Sequence, residues 1–387
     1  MKQRICRVTL RLWRGVLPLK SQVRLWIKRK LETTQLSYNF KKSYKCIKRS
    51  LNFEDQKIAK LNINENFFIP RKKLLELIVE ALEDLDPRLY PQDEEDRLRE
   101  KIGEYLGLPA NNIVIGNGGD EILERISHLL LEKGEQAITI SPTFSMYRFA
   151  VNLQKSKLIE VSLKKDFSLD VDRLLSNVTS KTKVLFLCSP NNPTANQFVI
   201  DEINSLVESF PGVVIVDEAY VEFADYSVTS LIKKYENLIV VRTFSKAFGL
   251  AGLRLGYCVA DVEIAKAISE CASLPFSVNT VSLKAGAKIL ENIRIVEHAI
   301  RKVRAEREKM VKALNGIDGV EAFNSKANFV LFKTEKPLDH VYNSLLQKGV
   351  LVRKIGTVLG FQNCFRATVG LPWMNAKLLD ALKEVSS

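Results

Sequence analysis

The sequence predicts an α/β fold: a large domain on a mainly parallel, seven-stranded sheet covered by helices, followed by a small α+β domain. Three observations carry this. From Leu51 onward, short apolar segments alternate with helix-length amphipathic ones. The apolar segments, such as Val213-Val214-Ile215-Val216, are nearly continuous, as expected of strands buried on both faces of a parallel sheet under helices. After a long charged stretch that reads as one helix, Ile289 to Leu314, a further group of short strands makes a second, smaller unit.

In chain order, the strands of the large domain are expected at Asn112 to Gly116, Gln136 to Ser141, Lys157 to Val161, Lys183 to Cys188, Val213 to Asp217, Leu238 to Thr243 and Gly256 to Ala260. Those of the small domain are expected at Gly319 to Glu321, Asn328 to Lys333, Gly349 to Val352 and Cys364 to Val369. The organisation expected is a basic extension over 1–50, an arm over 51–85 that joins the small domain, a large domain over 86–290 and a small domain over 291–387. No internal repeat appears.

The chain has 387 residues, 46% of them hydrophobic and 27% charged, which is too apolar for a disordered protein. Charges interrupt every apolar run well short of the roughly 18 to 20 residues a membrane span needs, so no integral membrane protein is expected. The six cysteines form no C-x-x-C pair, and Cys188 and Cys258 sit in apolar strands, which fits a reducing cytoplasm. Three scattered histidines, His128, His298 and His340, make a metal site unexpected. The net charge of +13 is local: residues 1–50 hold 15 Lys and Arg against the single acid Glu32, and the remainder carries 43 basic and 44 acidic residues. That leader reads as an over-extended start, a targeting segment or a polyanion-binding tail. Nothing downstream supports a nucleic-acid role.

Five windows carry chemistry. Arg242-Thr243-Phe244-Ser245-Lys246, followed by a glycine-rich turn to Arg254, sets a lysine just past a buried strand. There an amine is desolvated and its pKa falls, as an imine-forming amine requires, while the hydroxyls and guanidinium suit a phosphate monoester. A surface loop lysine is the plain alternative. Val213 to Tyr220 delivers Asp217 to the carboxyl end of a central strand, where α/β sheets bind ligands. A magnesium-holding role for Asp217 would need a G-x-x-x-x-G-K-[ST] loop, which the chain lacks. The other readings are a carboxylate that keeps a ring nitrogen protonated, with Tyr220 adding a hydroxyl nearby, or an ordinary helix-capping acid. Ile113 to Glu124 runs from a strand through Gly118-Gly119 into a helix, which suits a single phosphate rather than a dinucleotide because Glu121 stands where a third glycine belongs. Asp120 caps that helix in the plain reading. Ser189 to Thr194 is a rigid polar turn after a buried strand, and Arg353 and Arg366 are cations on apolar strands that need anionic partners or solvent.

Taken in order, these windows resemble the fold-type-I pyridoxal-phosphate aminotransferases, and within them the histidinol-phosphate aminotransferase family. The likeness runs from about Leu61 to the C-terminus through N-I-N-E-N, L-Y-P, G-N-G-G-D-E, S-P-T-F-S-M-Y, S-P-N-N-P-T, V-D-E-A-Y, T-F-S-K-A-F-G-L-A-G-L-R-L-G and F-R-A-T-V-G. It implies pyridoxal 5′-phosphate as cofactor, held covalently by Lys246, which also moves the proton at the substrate carbon. Asp217 would pair with the ring nitrogen, and Asn192 and Tyr220 would bond the ring hydroxyl. Phe144 would stack on the ring. Gly118, Gly119, Asp120, Thr243, Ser245 and Arg254 would surround the phosphate, and Tyr90 would reach that of a neighbouring subunit, which implies a homodimer with shared sites. Arg366, Arg353 and Asn66 would face the substrate.

The reaction implied passes an amino group between L-histidinol phosphate and 2-oxoglutarate, giving imidazole-acetol phosphate and L-glutamate, in the cytoplasm. Alternatives on the same scaffold are an aromatic amino acid aminotransferase and a threonine-phosphate decarboxylase. More remote is an aminotransferase-like DNA-binding regulator, which would need a helix-turn-helix that residues 1–50 do not display. The chain departs from the family's pattern at Phe67 and Phe68 after N-E-N, at Ala195 and Asn196 after N-P-T, and at Leu371 to Asn375 after F-R-A-T-V-G.

Overall fold

The computed structural model describes residues 23–28 and 58–386. The chain divides into two units, Met1–Lys41 and Lys42–Ser387. In the first, residues 23–28 form a short exposed helix, where the sequence showed no clean helical period. The other readings of the basic extension fall outside the described residues.

The second unit opens with strand β1 (Ala59–Lys60) and helices α1 (Arg71–Ala81) and α2 (Asp93–Leu106). There follow β2 (Ile113–Gly116), α3 (Gly119–Leu130), β3 (Gln136–Ser141), α4 (Met146–Leu153), β4 (Lys157–Ser162), α5 (Val171–Ser176), β5 (Thr182–Cys188), α6 (Ile200–Ser209), β6 (Val213–Asp217), β7 (Leu238–Thr243) and β8 (Gly256–Val259). β2 to β8 make a seven-stranded sheet in the order β2-β8-β7-β6-β5-β3-β4. All neighbours are parallel except those of β8, which runs against both β2 and β7. An apolar run does not encode direction. The loop from β7 to β8 holds only a three-residue 3-10 turn, Ala251–Leu253, and no α-helix to carry the chain back across the sheet, so the chain returns antiparallel.

Alternate residues along each strand serve opposite faces. Val214, Val216, Leu238 and Val240 join one buried cluster with Leu98, Ile203 and Leu283, whereas Ile215, Ile239 and Val241 join another with Ile122, Tyr147 and Ile268. Each such side chain stabilises the fold by roughly 1.5 to 3 kcal/mol on burial. The two clusters explain why the strands read as continuous apolar runs.

The chain continues through α7 (Val262–Cys271), α8 (Thr280–Glu291), α9 (Ile293–Leu314), β9 (Val320–Ala322), β10 (Phe329–Thr334), α10 (Leu338–Gln347), β11 (Val350–Leu351), β12 (Arg353–Val358), β13 (Phe361–Thr368) and α11 (Pro372–Ser386). The single helix expected over Ile289 to Leu314 is two. Asn292 leaves the helical region at φ −111° and its amide donates to the Lys288 carbonyl at 3.0 Å, a side-chain bond that competes with the helical ladder. An antiparallel four-stranded sheet, β12-β13-β10-β9, forms the smaller layer, and β1 pairs in parallel with β11. β12 escaped the sequence reading because Arg353-Lys354-Ile355-Gly356-Thr357 has no apolar alternation and its register shifts around Gly356.

Candidate active site

The carboxyl ends of β5, β6 and β7 lie side by side, with Cys188 paired to Asp217 and Asp217 to Val241. Asp217 is the last residue of β6 and is 5% exposed. Its Oδ1 accepts from the Ala219 N–H at 3.0 Å and its Oδ2 from the Tyr147 hydroxyl at 2.8 Å. Burial pushes its carboxyl up to about 6, opposed by those two donors. No lysine or arginine among the described residues forms an ion pair with it.

Past the end of β7 the chain turns, and Lys246 lies partly buried with its Nζ donating to the Ile63 carbonyl at 3.2 Å. Burial, reinforced by the Arg366 charge, pulls its ammonium down to about 8, so that a useful fraction is free amine near neutrality. The Nζ lies 5.8 Å from the centre of the Tyr220 ring. The Tyr220 hydroxyl accepts from Asn64 at 3.1 Å and from Asn192 at 3.4 Å. Asn192 also accepts from Arg366 Nη1 at 2.5 Å, while Arg366 Nη2 donates to the Asn62 carbonyl at 3.1 Å. Arg366, 7% exposed on β13, stacks its guanidinium 5.2 Å over Phe329, which fixes the plane of the fork. The small sheet thus delivers a cation to the strand ends of the large one.

The turn between β2 and α3 shapes an anion cradle. Gly118 adopts φ +88°, a backbone that favours glycine, and a Cβ built there would lie 2.9 Å from Arg254 Nη2 and displace that guanidinium. A Cβ at Gly256 would sit 2.7 Å from the Gly118 carbonyl carbon, which is how β8 packs directly behind the turn. α3 begins at Gly119 with Asp120 and Glu121 in its first turn, and its unpaired N–H groups open toward the cradle. Arg254, at φ +50°, donates to Asp120 at 3.1 Å and to Ser245 at 3.4 Å. The Ser245 N–H donates to the Thr243 hydroxyl at 3.1 Å. The Thr243 hydroxyl itself donates to the Leu255 carbonyl at 3.3 Å, so this turn gathers a helix N-terminus, two hydroxyls and a guanidinium, a set of groups suited to a phosphate monoester.

The remaining candidates fall in three ways. Phe144 stands edge-on to Tyr147 with centroids 5.8 Å apart, and Arg353 pairs across the sheet with Arg366. Asn66 is 7% exposed and spends its amide on the backbone, donating to the Ala247 carbonyl at 2.8 Å and accepting from the Phe68 N–H at 3.0 Å. It braces the lysine turn, and Asn64, two residues earlier in the same N-I-N-E-N run, makes the contact with Tyr220. Tyr90 lies at the surface, 74% exposed and stacked on Phe276 at 4.9 Å. Sequence reasoning missed Asn64 and Tyr147. A tyrosine on the buried face of α4 carried the available signal, since a fully buried hydroxyl requires an acceptor.

The family model described as Aminotransferase class I and II matches residues 56–382. The chain is 35% identical over 345 residues to a histidinol-phosphate aminotransferase of Caldanaerobacter subterraneus, covering 88% of this chain and 97% of that protein. It is 39% identical over 327 residues to histidinol-phosphate aminotransferase 1 of Carboxydothermus hydrogenoformans, covering 84% and 92%. Among solved structures, the histidinol-phosphate aminotransferase of Sinorhizobium meliloti in complex with pyridoxal-5′-phosphate superposes with a TM-score of 0.80 at 24% identity, over 90% of this chain and 95% of that one, a likeness of fold.

Proposed function

We propose, from the premise that the chain belongs to the class I and II aminotransferase family, that it exchanges an amino group between L-histidinol phosphate and 2-oxoglutarate using pyridoxal 5′-phosphate. The products are imidazole-acetol phosphate and L-glutamate, in histidine biosynthesis. The observation that carries this reading is the convergence of a lysine amine held near pKa 8, a buried carboxylate with only neutral donors, and a glycine-lined phosphate cradle. The donor set fits the cofactor at each of its polar groups. When bound, pyridoxal 5′-phosphate supplies a ring that withdraws the electrons left behind when a proton leaves the substrate carbon.

The chain's own residues do the rest. Lys246 Nζ would hold the cofactor covalently and would take and return the proton at the substrate carbon. Asp217 keeps the ring nitrogen protonated by charge. Tyr220 and Asn192 would bond the ring hydroxyl, Phe144 would stack on the ring, and the Gly118-Gly119 turn, Asp120, Thr243, Ser245 and Arg254 would hold the phosphate. Arg366 and Arg353 receive the substrate's anionic group, a carboxylate in one half-reaction and a phosphate in the other.

A homodimer is part of this proposal, supported by the exposed run of Leu89, Tyr90, Leu274 and Phe276, with Tyr90 reaching the partner's phosphate. Mixing Lys246→Ala with Tyr90→Ala chains then restores activity; exchange of subunits without recovery rejects shared sites. No helix among the described residues is long and apolar enough to cross a membrane. A cytoplasmic location is supported by four free cysteines there, three of them buried.

The test is an absorbance scan of the purified protein titrated separately with L-glutamate, L-histidinol phosphate and L-phenylalanine. Bleaching of the visible band by the first two supports the proposal. Bleaching by the aromatic amino acid alone replaces the substrate, and no band after reconstitution rejects the cofactor roles. Lys246→Ala removes band and turnover together in this reading.

A further inference from the structure

Behind the cleft, one hydrogen bond joins helix α4 to the end of β6. Tyr147 lies on α4 with no exposed surface, its ring stacked on Phe186 of β5 at 5.0 Å and 11°, and edge-on to Phe144. Stacked and enclosed, the ring has one orientation, and its hydroxyl meets Asp217 Oδ2 at 2.8 Å. The other oxygen of Asp217 is held by the Ala219 N–H. The carboxylate therefore has a fixed plane, set by one donor on each oxygen. Cys188, the register partner of Asp217, gives its S–H to the Pro190 carbonyl at 3.2 Å and offers no charge.

We propose that Tyr147 is a positioning residue for the reaction: it acts through Asp217, fixing the carboxylate's plane and favouring its ionised form so that it meets a protonated ring nitrogen. This rests on the cofactor role of Asp217 proposed above. The hydroxyl stays a donor throughout the working range, because burial and the Asp217 charge both raise its pKa. The charges that bear on Asp217 are those of Asp120 and Glu218, and its hydrogen-bond donors are Tyr147 and the Ala219 N–H. Of these, Tyr147 alone donates a side-chain hydrogen bond to it.

The direction of the effect follows from proton affinity. Loss of the hydroxyl makes Asp217 a stronger base, so the proton shared with the ring nitrogen shifts toward the carboxylate and the ring loses positive charge. The nitrogen contributed by Lys246 then has less positive charge nearby and keeps its proton to higher pH.

Tyr147→Phe deletes only the hydroxyl and keeps the stack on Phe186. The test measures the dissociation constant of pyridoxal 5′-phosphate and, at saturating cofactor, the pH midpoint of the visible band, in the native chain, Tyr147→Phe, Asp217→Asn and the double variant. The expected result is cofactor binding about tenfold weaker and a midpoint higher by about 0.5 to 1 unit in Tyr147→Phe. In the Asp217→Asn background the same change is expected to move neither. An unmoved midpoint in Tyr147→Phe overturns the inference, as does an equal shift in both backgrounds, which would make Tyr147 a packing residue. A native chain that shows no visible band overturns the cofactor reading itself, and this inference with it.

Discussion

Asp217 and Glu218 are consecutive carboxylates at the end of one strand, both buried, and the protein treats them in opposite ways. Asp217 faces the side of the sheet lined by Tyr147 and Phe186 and receives only neutral donors. Glu218 turns to the other face, where its Oε2 accepts from Arg242 Nε at 2.9 Å and from the Ser227 hydroxyl at 2.8 Å, and its Oε1 from the Val228 N–H at 2.7 Å. Arg242 gives its second arm to Ser227 at 2.6 Å and approaches Glu222 at 3.6 Å. A carboxylate matched by a cation inside the protein ties two strands together. One left with neutral donors keeps its charge for whatever binds beside it.

The largest effect separates these roles by function. Asp217→Asn is expected to lower kcat about 10³-fold, since an unpaired buried charge costs roughly 3 to 5 kcal/mol and the lost partner here belongs to the cofactor ring. Its urea midpoint without cofactor is expected to stay at or above the native one, because a desolvated carboxylate has been removed. A stability loss as large as the kinetic one would erase the distinction between the two carboxylates.

The converse variant is Arg242→Met. It leaves Glu218 and Glu222 buried without their cation, so unfolding is expected to become easier by about 3 to 5 kcal/mol, while turnover per folded molecule changes by only a few-fold. Urea denaturation monitored by fluorescence measures the first and active-site titration the second. Arg366→Ala gives a third, intermediate case. It is buried like Arg242, at 7% exposed against 4%, yet its hydrogen bonds run to Asn192 and a backbone carbonyl at the cleft. The expected loss is in kcat/KM for glutamate, about 30-fold, from a charge-assisted pair of about 2 kcal/mol. If only the phosphate-bearing substrate suffered, the anion site would lie elsewhere.

Much of this was legible in the sequence, and the limits have physical causes. Strands β5 to β8 announced themselves because burial on both faces produces nearly unbroken apolar runs, and the residues of the cleft cluster where strands end in polar turns. The sense of β8 was hidden because hydrophobicity carries no direction. The break at Asn292 was hidden because an asparagine sits in many helices without leaving them. Tyr147 drew no reading beyond its place in S-P-T-F-S-M-Y; only the structure places an acceptor against its hydroxyl. Asn66 drew attention over Asn64 because both lie in one short run, and which of them turns toward the cleft depends on the left-handed backbone of Asn64 at φ +58°.

The smallest expected effect lies within the cationic cluster and depends on pH. Glu222 has a side chain 3% exposed, and neither of its oxygens accepts a hydrogen bond. Burial raises its carboxyl from 4.5 to about 7, with Arg242 pulling the other way. The folded chain therefore binds this proton more tightly than the unfolded chain does. Its contribution to stability is complete below about pH 4.5 and is lost as pH rises through about 7. Glu222→Gln keeps the shape and removes the titration. Between pH 5 and pH 8 the native chain is expected to lose on the order of 1 to 3 kcal/mol that Glu222→Gln keeps, read as the difference between their urea midpoints without cofactor. Asp217, raised in the same direction, is present in both chains and cancels from that difference. Equal losses in the two chains would mean that Arg242 holds Glu222 ionised throughout, making it a second full partner of the guanidinium alongside Glu218.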